Sequence, residues 1–510
     1  MSSHLLSLII AAPAIAAVVV MLLPTAARLA MRVVSLAGAT VALAGSIVAL
    51  VTYDAAKSGL QRVEDYPIVP QLGIHLRFAQ DGWGGPLLLL TGVIIFAGVL
   101  ASWTLKTRDK EYFVLLLLLV AGVFGVFVSQ DLLIFFLFYE IAVLPMYLLI
   151  GIWGSSHKVP PRGPFAFVWK LFDIGGKQYA AMKLTLMLLV GSAAILVAIF
   201  VLYEQSGGES FDLAVLQAAH YGRTTQIVVF PLVWLGFGSL AGVFPFHTWS
   251  PDGHASAPTA VSMLHAGVLM KLGAFGVMRI GMVLMPEGAQ YWAPVVGTVA
   301  AINVLYGAFC AMSQTDLKYI IAYSSVSHMG VVMLGAATLT QAGWNGAVFQ
   351  MVAHGIMTGL FFALVGLVYE RAHTRAIRKM GGFGHVMPAV ACFFTLACLS
   401  SLGLPGTAGF VAEFLVFLGA AEGAHAWWAV PAVIGAVVTA VYVLRACKAI
   451  FWGPPPTGEY AHLTDAHATE WAAPIVLGTA LVLFGFWPRF LLDFIDVASS
   501  TFLARIVPFS

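Results

Sequence analysis

Long apolar stretches, separated by short polar connections, follow one another along the whole chain. A helix needs about 20 mostly apolar residues to cross a bilayer, and fourteen segments meet that condition. The predicted spans are, in order, Leu5–Leu23, Met31–Tyr53, Pro86–Trp103, Tyr112–Val128, Leu132–Trp153, Ala180–Tyr203, Gln226–Phe246, Pro258–Met285, Tyr291–Met312, Leu317–Leu334, Gly343–Tyr369, Met387–Phe417, Trp427–Phe451 and Trp471–Trp487. The pattern predicts an all-α polytopic membrane protein with about 14 transmembrane helices in a single membrane domain, residues 1–510.

Helix-breaking residues interrupt this pattern at three places. Span 5 contains Pro145, which removes an amide from the helical ladder. Span 7 ends irregularly in "VFPFHTWSPDGHASAP" (243–258), which includes Pro245. Span 12 is too long for one straight crossing and contains "GLPGTAGF" (403–410), with Gly403, Pro405 and Gly406. Interrupted helices at membrane depth are tolerated where they line a cavity, so spans 7 and 12 are expected to border an ion path.

The interrupted spans 7 and 12 are five spans apart, which suggests an internal repeat. Because five is odd, the second unit would be inverted relative to the first. The predicted division is residues 1–103 for the first three helices, 111–285 and 291–451 for two inverted five-helix repeats, and 471–510 for the last helix with an amphipathic tail. Residues 54–82 are expected to form an extended or hairpin segment, and residues 154–178 an unusually long loop.

Composition supports an integral membrane protein. Hydrophobic residues make up 60% of the chain and charged residues 9%, with a mean hydropathy of +0.93, whereas soluble domains carry about 25% charged residues. Most lysines and arginines fall in the loops after odd-numbered spans, which predicts a cytoplasmic location for those loops. Both termini are then expected on the outer, periplasmic side, and the protein is expected in a bacterial inner membrane.

The sequence contains no pattern for a resident cofactor or metal. The four cysteines, Cys310, Cys392, Cys398 and Cys447, lie in apolar stretches without the clustered spacing of iron–sulfur or zinc sites. The glycine-rich run 236–242 lacks the strand–turn–helix context of a nucleotide loop. Cofactor binding and metal binding by this chain are therefore not expected.

A few ionisable residues lie within the predicted spans, where such groups usually face the bundle interior and mark ion or proton paths. They are Glu140, Lys183, His247, His265, Lys271, His328, His354 and Glu413. Other interpretations exist: Lys183 and Lys318 lie near helix starts and could extend to the interface, and a membrane histidine is often an interhelical hydrogen bonder. Glu140, Lys271 and Glu413 are several turns from any helix end, so these three point to a conduit for protons or sodium ions.

The same residues carry a family resemblance over about residues 80–450. The segment "FHTWSPDGHASAPTAVSMLHAGVLMKLGAFGVMRI" (246–280) resembles helices seven and eight of the antiporter-like subunits of respiratory complex I, which are related to Mrp cation/proton antiporters. Four further segments resemble helices five, ten, eleven and twelve: "FFLFYEIAVLPMYLLIGIWG", "KYIIAYSSVSHMG", "QMVAHGIMTGLFF" and "GLPGTAGFVAEF". Glutamate in "VAEF" is typical of the M-type subunit.

The resemblance implies residue roles. Glu140 matches the fifth-helix glutamate, Lys271 the central eighth-helix lysine and Glu413 the terminal glutamate of a relay axis. His328 and His354 match the histidines of helices ten and eleven, and Lys183 matches a recurrent lysine of helix six. The family also implies that FMN, the iron–sulfur clusters and the quinone belong to other subunits. Expected partners are the L-, N-, K-, A- and J-type subunits and the lipid bilayer, rather than nucleic acid.

One position departs from the family pattern. The family places a lysine seven residues before the histidine of "HTW", and this chain has Leu240 there. Gly238 and Gly242 form a GxxxG pattern in the same span, which favours close helix packing. Without that cation Glu140 is expected to be protonated more of the time, or to pair with Lys183 or with water leading to His265.

The sequence leaves other functions open. An Mrp-type antiporter subunit or a subunit of a membrane-bound hydrogenase would use the same scaffold. A stand-alone transporter of a small solute is less compatible with polar residues spread over many helices. A purely structural membrane spacer is the third alternative.

Overall fold

The computed structural model describes residues 4–57, 59–156, 174–467 and 470–507. Most of the predicted long loop at 154–178 lies outside these residues. The α-helices are α1 Leu5–Leu22, α2 Arg28–Val51, α3 Gly84–Ala101, α4 Asp109–Val128, α5 Leu132–Trp153, α6 Lys177–Gln205, α7 Leu213–Ala218, α8 Arg223–Ala241, α9 Trp249–Ser256, α10 Thr259–Leu264, α11 Met270–Gly276, α12 Pro286–Ser313, α13 Leu317–Ala337, α14 Gln341–Ala372, α15 Pro388–Ser401, α16 Ala408–Glu422, α17 Ala429–Phe451, α18 Ala472–Phe486 and α19 Arg489–Ile506.

Every predicted span coincides with helical structure, and within the described residues the protein is a mostly helical polytopic membrane protein with one β-hairpin. Within the described residues, twelve helical segments are long and apolar enough to cross a membrane. Span 12 consists of the two shorter helices α15 and α16, and span 14 is α18, which is bent by 67° from α19. The predicted break in span 12 is thereby confirmed, while the count of fourteen and the repeat division stay predictions.

The predicted break at Pro145 is wrong. Helix α5 runs without interruption from Leu132 to Trp153 with Pro145 inside it. A transmembrane helix tolerates proline where neighbouring groups satisfy the freed carbonyl, so proline alone does not predict a break. The break in span 7 is confirmed, because α8 ends at Ala241 and α9 begins only at Trp249.

The segment after α2 forms the expected hairpin. Strand β1 (Gln61–Val69) pairs antiparallel with β2 (Ile74–Gln80), and Gly73 occupies the left-handed region (φ +63°) in the turn. A Cβ atom on Gly73 would also collide with the backbone of Glu209. This hairpin therefore packs against the connection between α6 and α8 and covers one end of the bundle.

Two aspartates cap equivalent helices at opposite ends of the bundle. Asp131 accepts hydrogen bonds from Leu133 N and Ile134 N at the start of α5, beside the hairpin. Asp316 accepts hydrogen bonds from Lys318 N and Tyr319 N at the start of α13. Because successive helices cross the bundle in alternating directions, this helix start lies at the end of the bundle opposite to that of Asp131. Side-chain capping satisfies amides that a helix start leaves unpaired. The five-helix spacing of these two caps supports the predicted inverted repeats.

The connection between α17 and α18 is fastened to the end of α14 by an ion pair. Arg371 Nη2 lies 2.5 Å from Glu470 Oε2. Burial alone would raise the pKa of Glu470, but the hydrogen bonds from Arg371 and from the His467 amide lower that pKa below its ordinary value. The ion pair therefore contributes most to the stability of the fold at a pH at which Glu470 is ionised in both the folded and the unfolded state.

This lowered pKa predicts a pH-dependent fastening. Because the folded-state pKa of Glu470 lies below the unfolded value, its stabilising contribution is present above about pH 4.3 and is lost as the pH falls further. Amide hydrogen exchange in residues 452–467 is expected to accelerate on acidification, and Glu470→Gln should reduce that pH dependence. Glu459→Gln, at an exposed position of the same connection, is the control; an equal effect of both variants would contradict the assignment.

Candidate functional site

The central lysine lies in a helix that changes register twice. Span 8 consists of α10, a π-helical segment His265–Leu269, α11, and a second π-helical segment Val277–Met282. π-helical turns leave carbonyls free of the regular ladder and occur often at functional sites. Lys271 is fully buried, and its Nζ donates a hydrogen bond to the carbonyl oxygen of Ala266 in the first π segment.

Four predicted residues form a row of buried polar side chains. Lys271 Nζ lies 2.6 Å from His354 Nδ1 on α14, and the rings of His354 and His328 are 5.3 Å apart between centroids. His328 Nδ1, on α13, lies 3.3 Å from Glu413 Oε1 on α16. All four residues are at most 5% exposed to solvent. This row, the buried chain, therefore connects four helices through acid–base groups.

The break in span 12 positions the carboxylate at the end of this chain. Gly403 and Gly406 have positive φ angles (+74° and +93°), and Pro405 lies between them. A Cβ atom on Gly403 would lie 2.8 Å from Glu413 Oε2. Because glycine leaves that space open, the carboxylate of Glu413 can approach the backbone of the broken segment. The predicted break residues are thus directly next to the predicted site.

Ser401 and Gln350 orient the histidine next to Glu413. Ser401 Oγ lies 3.2 Å from His328 Nε2, and Gln350 Nε2 lies 3.3 Å from His328 Nδ1. The imidazole therefore has polar partners at both ring nitrogens, which fixes its orientation between His354 and Glu413. Neither Ser401 nor Gln350 was predicted from the sequence, because single uncharged polar residues are common in membrane helices.

The break in span 7 is held by a buried asparagine on α12. Asn303 Oδ1 accepts a hydrogen bond from Phe244 N at 2.9 Å, and Asn303 Nδ2 donates to Val326 O at 2.9 Å and to Gly242 O at 3.4 Å. His247 follows in the same irregular segment, with its ring against Phe244 and Tyr306. Within the described residues neither nitrogen of His247 has a hydrogen-bond partner.

A second histidine pair includes one residue that the sequence interpretation missed. The rings of His254 (α9) and His265 are 3.9 Å apart between centroids, and Trp249 stacks on His265. His254 is fully buried, and in the described part of the chain none of the four ring nitrogens of the pair has a hydrogen-bond partner. The sequence placed His254 in an irregular connection between spans, whereas it lies on the short buried helix α9. The sequence signal for His254 was its spacing from His247: seven residues, or two helical turns, place two side chains on the same face of a helix.

Lys183 has a partner other than the one considered from the sequence. Its Nζ lies 2.7 Å from Asp252 Oδ2, and Tyr319 OH donates to Asp252 Oδ1 at 3.0 Å. The side chains of Lys183 and Asp252 are 23% and 25% exposed. Lys183 therefore pairs with Asp252 rather than with Glu140, because α9 carries a carboxylate next to it.

Lys318 does not extend to the interface as its place near a helix start suggested. The residue is 5% exposed, and its Nζ donates a hydrogen bond to Ala257 O at 2.7 Å. Ala257 lies between α9 and α10, where the break of the chain exposes a carbonyl inside the protein. An internal acceptor therefore replaces water for this ammonium group.

Glu140 lies apart from the buried chain, at the side of the bundle. On the same helix Leu137 and Leu144 are 49% and 70% exposed. Within the described residues Glu140 Oε1 has no hydrogen-bond partner. Leu240 is fully buried, so span 7 offers no cation at this position.

The GxxxG prediction in span 7 is wrong in its detail. Gly242 ends α8 with φ +76°, and Gly238 has no neighbouring helix in close approach. Helix α8 packs closely against α6 at Gly236, where a Cβ atom would lie 2.7 Å from Gly191 O. It packs closely against α11 at Gly273 of that helix, where a Cβ atom would lie 2.4 Å from Ala241 N. Gly242 therefore serves the helix end, and other glycines allow the helices to pack closely.

Comparisons with known proteins agree with this arrangement. Residues 129–439 match the family described as NADH:quinone oxidoreductase/Mrp antiporter, transmembrane. The chain is 38% identical to NAD(P)H-quinone oxidoreductase chain 4 1 of Synechococcus sp. (strain JA-3-3Ab) over 89% of this chain and 84% of that protein. It is 36% identical to chain 4 of Acaryochloris marina over 89% and 83% of the two proteins.

Solved structures share the whole fold. A chain of respiratory complex I from Thermus thermophilus superposes with a TM-score of 0.87 at 27% identity, over 99% of this chain and 100% of that chain. A chain of the Mrp complex from Dietzia sp. superposes with a TM-score of 0.82 at 21% identity, over 99% and 98%, which shows a common fold. The chain therefore belongs to the family of NADH:quinone oxidoreductase and Mrp antiporter transmembrane subunits, and its relatives in sequence are chain 4 of NAD(P)H-quinone oxidoreductases.

Proposed function

We propose that this chain is a proton-translocating, M-type subunit in the membrane arm of a complex I-type NADH:quinone oxidoreductase. The observation that carries the proposal is the buried chain Lys271–His354–His328–Glu413. Lysine, histidine and carboxylate groups each have a protonated and a deprotonated form, so each can take up and pass on a proton. Protons can therefore pass between them, with water in the gap between the two imidazoles.

The chain itself carries out no redox chemistry in this proposal. FMN, the iron–sulfur clusters and the quinone are assigned to other subunits, and the proposed neighbours are the L-, N-, K-, A- and J-type subunits of the complex. The protein is placed in a bacterial inner membrane with both termini on the periplasmic side, as the distribution of lysine and arginine indicates. An Mrp-type antiporter subunit is the second candidate, supported by the shared fold.

Glu413→Gln tests the proposal. The amide keeps the size of the side chain but cannot take up a proton, so we expect proton translocation by the reconstituted complex to fall about tenfold or more, given the 10²–10⁴-fold contribution of positioned acid–base groups. The readout is NADH-driven acidification of liposomes. Glu422→Gln, an exposed carboxylate at the end of the same helix, is the matched control.

Three outcomes of this experiment are informative. Normal pumping by Glu413→Gln would contradict the proposal and favour a structural spacer. Loss of pumping that is restored only with sodium in the medium would reassign the ion. Cation/proton exchange without any dependence on NADH would favour the Mrp-type alternative.

A set of polar residues on α9 and in span 8 supports proton uptake at the cytoplasmic end. Asp252 is 25% exposed on its side chain and bonded to Lys183 and Tyr319. His254 follows two residues later on α9, and it stacks on His265 in the helix that carries Lys271. Lys318 lies beside Tyr319 and inside the protein. We assign Asp252 as the first acceptor and His254 and His265 as the connection to Lys271.

Asp252→Asn is expected to slow uptake without removing the relay. Proton translocation should fall about tenfold at neutral pH and recover partly at lower pH, because a higher proton concentration compensates for a lost acceptor. The measurement is the pH profile of pumping by reconstituted complexes. Asp54→Asn, an exposed aspartate at the other end of the bundle, is the control; a uniform loss at every pH would argue for a structural effect of Asp252 instead.

A further inference from the structure

A cavity of about 180 Å³ lies at the periplasmic end of the bundle, beneath the last helix. It is enclosed by α19, by α7, by the end of α2 and by the turn before α3. Its polar lining consists of Asp81, Gln130, Gln217, Arg279, Thr501 and Arg505. At about 30 Å³ for each water in the liquid, the space holds about six waters, so a small polar group fits inside.

An arginine with 3% exposure forms the inner wall of this cavity. Arg279, in the second π segment of span 8, has Nη1 3.1 Å from Asp81 Oδ2 and donates from Nη2 to Gln130 Oε1 at 3.1 Å. Its guanidinium group also lies 4.6 Å from the ring centroid of Phe502 on α19. A buried charge is costly unless it is paired and hydrogen-bonded, and this arrangement holds a permanent cation at a fixed place.

A second arginine lies at the mouth of the cavity and leaves positive charge in excess. Arg505 is exposed, and its Nη1 donates to Gln217 Oε1 at 2.7 Å. Two guanidinium groups and one carboxylate line the space, so their formal charges sum to one positive charge. Because Arg279 is paired with Asp81, the uncompensated positive charge is that of Arg505. A bound anion would therefore compensate this charge, while the Nε2 amide group of Gln217, whose Oε1 already accepts from Arg505, offers a further hydrogen bond.

We propose that this cavity binds a phosphate-bearing anion, with Arg505 as its direct ligand and Arg279 as the fixed charge behind it. Guanidinium groups match the geometry of phosphate oxygens through paired N–H donors. Phospholipid headgroups and free phosphate share this chemistry, and the periplasmic end of the bundle is accessible to both. Neither source depends on the proton relay, since the cavity is separate from the Lys271–Glu413 chain.

Hydrogen exchange on the intact purified complex tests this site. In detergent, after lipid removal, exchange of the α19 amides (Arg489–Ile506) is measured with inorganic phosphate and, separately, with short-chain phosphatidylglycerol. Binding stabilises the closed position of α19 over the cavity, so at a ligand concentration ten times the Kd we expect exchange to slow about tenfold. Protection by phosphate alone identifies a free anion, and protection only by phosphatidylglycerol identifies a lipid headgroup.

Two variants assign the effect to the cavity. Arg505→Gln is expected to lose most of the protection, and Arg489→Gln, an exposed arginine at the other end of the same helix, is expected to keep it. Arg505→Lys should retain part of it because the charge remains. No protection of the unaltered complex by either ligand would overturn the proposal, as would equal losses in Arg505→Gln and Arg489→Gln.

Discussion

Replacing Lys271 by methionine is expected to stop proton transfer through this subunit while leaving the protein folded. Methionine fills nearly the same volume as lysine but has no group that can hold a proton. The ammonium group is fully buried and contacts His354 Nδ1 at 2.6 Å, so its loss interrupts the chain at its first member. Since a positioned acid–base group contributes about 10²–10⁴-fold to a proton-transfer step, we expect pumping to fall about a hundredfold.

The stability of this variant should move in the opposite direction. Removing a buried ammonium group abolishes its desolvation cost of several kcal/mol, which offsets the cost of about 1–3 kcal/mol for leaving Ala266 O and His354 Nδ1 without this donor. The melting temperature of the purified complex is therefore expected to stay constant or rise, which separates a loss of relay function from misfolding. Lys448→Met, at an exposed lysine of α17, should leave both pumping and melting temperature unchanged. A Lys271→Met complex that pumps normally would contradict the relay.

Replacing Asn303 by leucine is expected to produce the largest loss of local stability. The amide makes three hydrogen bonds that join α12 to α13 and to the break in span 7. Leucine preserves the volume but leaves Phe244 N–H and two carbonyl groups without these bonds. Interhelical hydrogen bonds in membranes contribute about 0.6 kcal/mol each on average and up to about 2 kcal/mol. A loss of about 2 kcal/mol is therefore expected.

Hydrogen exchange at the Phe244 amide gives the direct measurement for this variant. Opening of the break should expose that amide and accelerate its exchange about 30-fold, the factor that corresponds to about 2 kcal/mol. Ser327→Ala removes a single bond, from Ser327 Oγ to Val304 O, between the same two helices, and is expected to have a much smaller effect. If both variants exchange alike, Asn303 does not hold the break.

Pumping adds a functional measurement for Asn303→Leu. The segment that Asn303 holds leads into α9, which carries Asp252 and His254. A loosened break would shift both groups relative to α6 and α13, so we expect proton translocation to fall although no proton-carrying group is altered. Unchanged pumping with accelerated Phe244 exchange would mean that the position of α9 does not depend on this asparagine.

The apolar runs were sufficient to predict the helices, because a segment in a bilayer must satisfy its backbone internally. They also predicted the two broken spans, since Pro245 and the group Gly403, Pro405 and Gly406 interrupt otherwise helical patterns. Pro145 shows the limit of this reasoning: it looks the same in sequence, yet α5 passes through it. Whether a proline breaks a membrane helix depends on the neighbours that satisfy its freed carbonyl.

Among the site residues, the sequence by itself determined which charged groups lie within apolar spans. Glu140 and Lys271 lie several turns inside long apolar runs, and Glu413 lies just after the break in span 12, five residues beyond the start of α16. Only the tertiary structure decided which of these groups touch: Lys271 meets His354, His328 meets Glu413, and Glu140 stays at the side of the bundle. Hydropathy fixes the depth of a residue in a helix, but contact depends on helix rotation and packing, which residues distant in sequence determine.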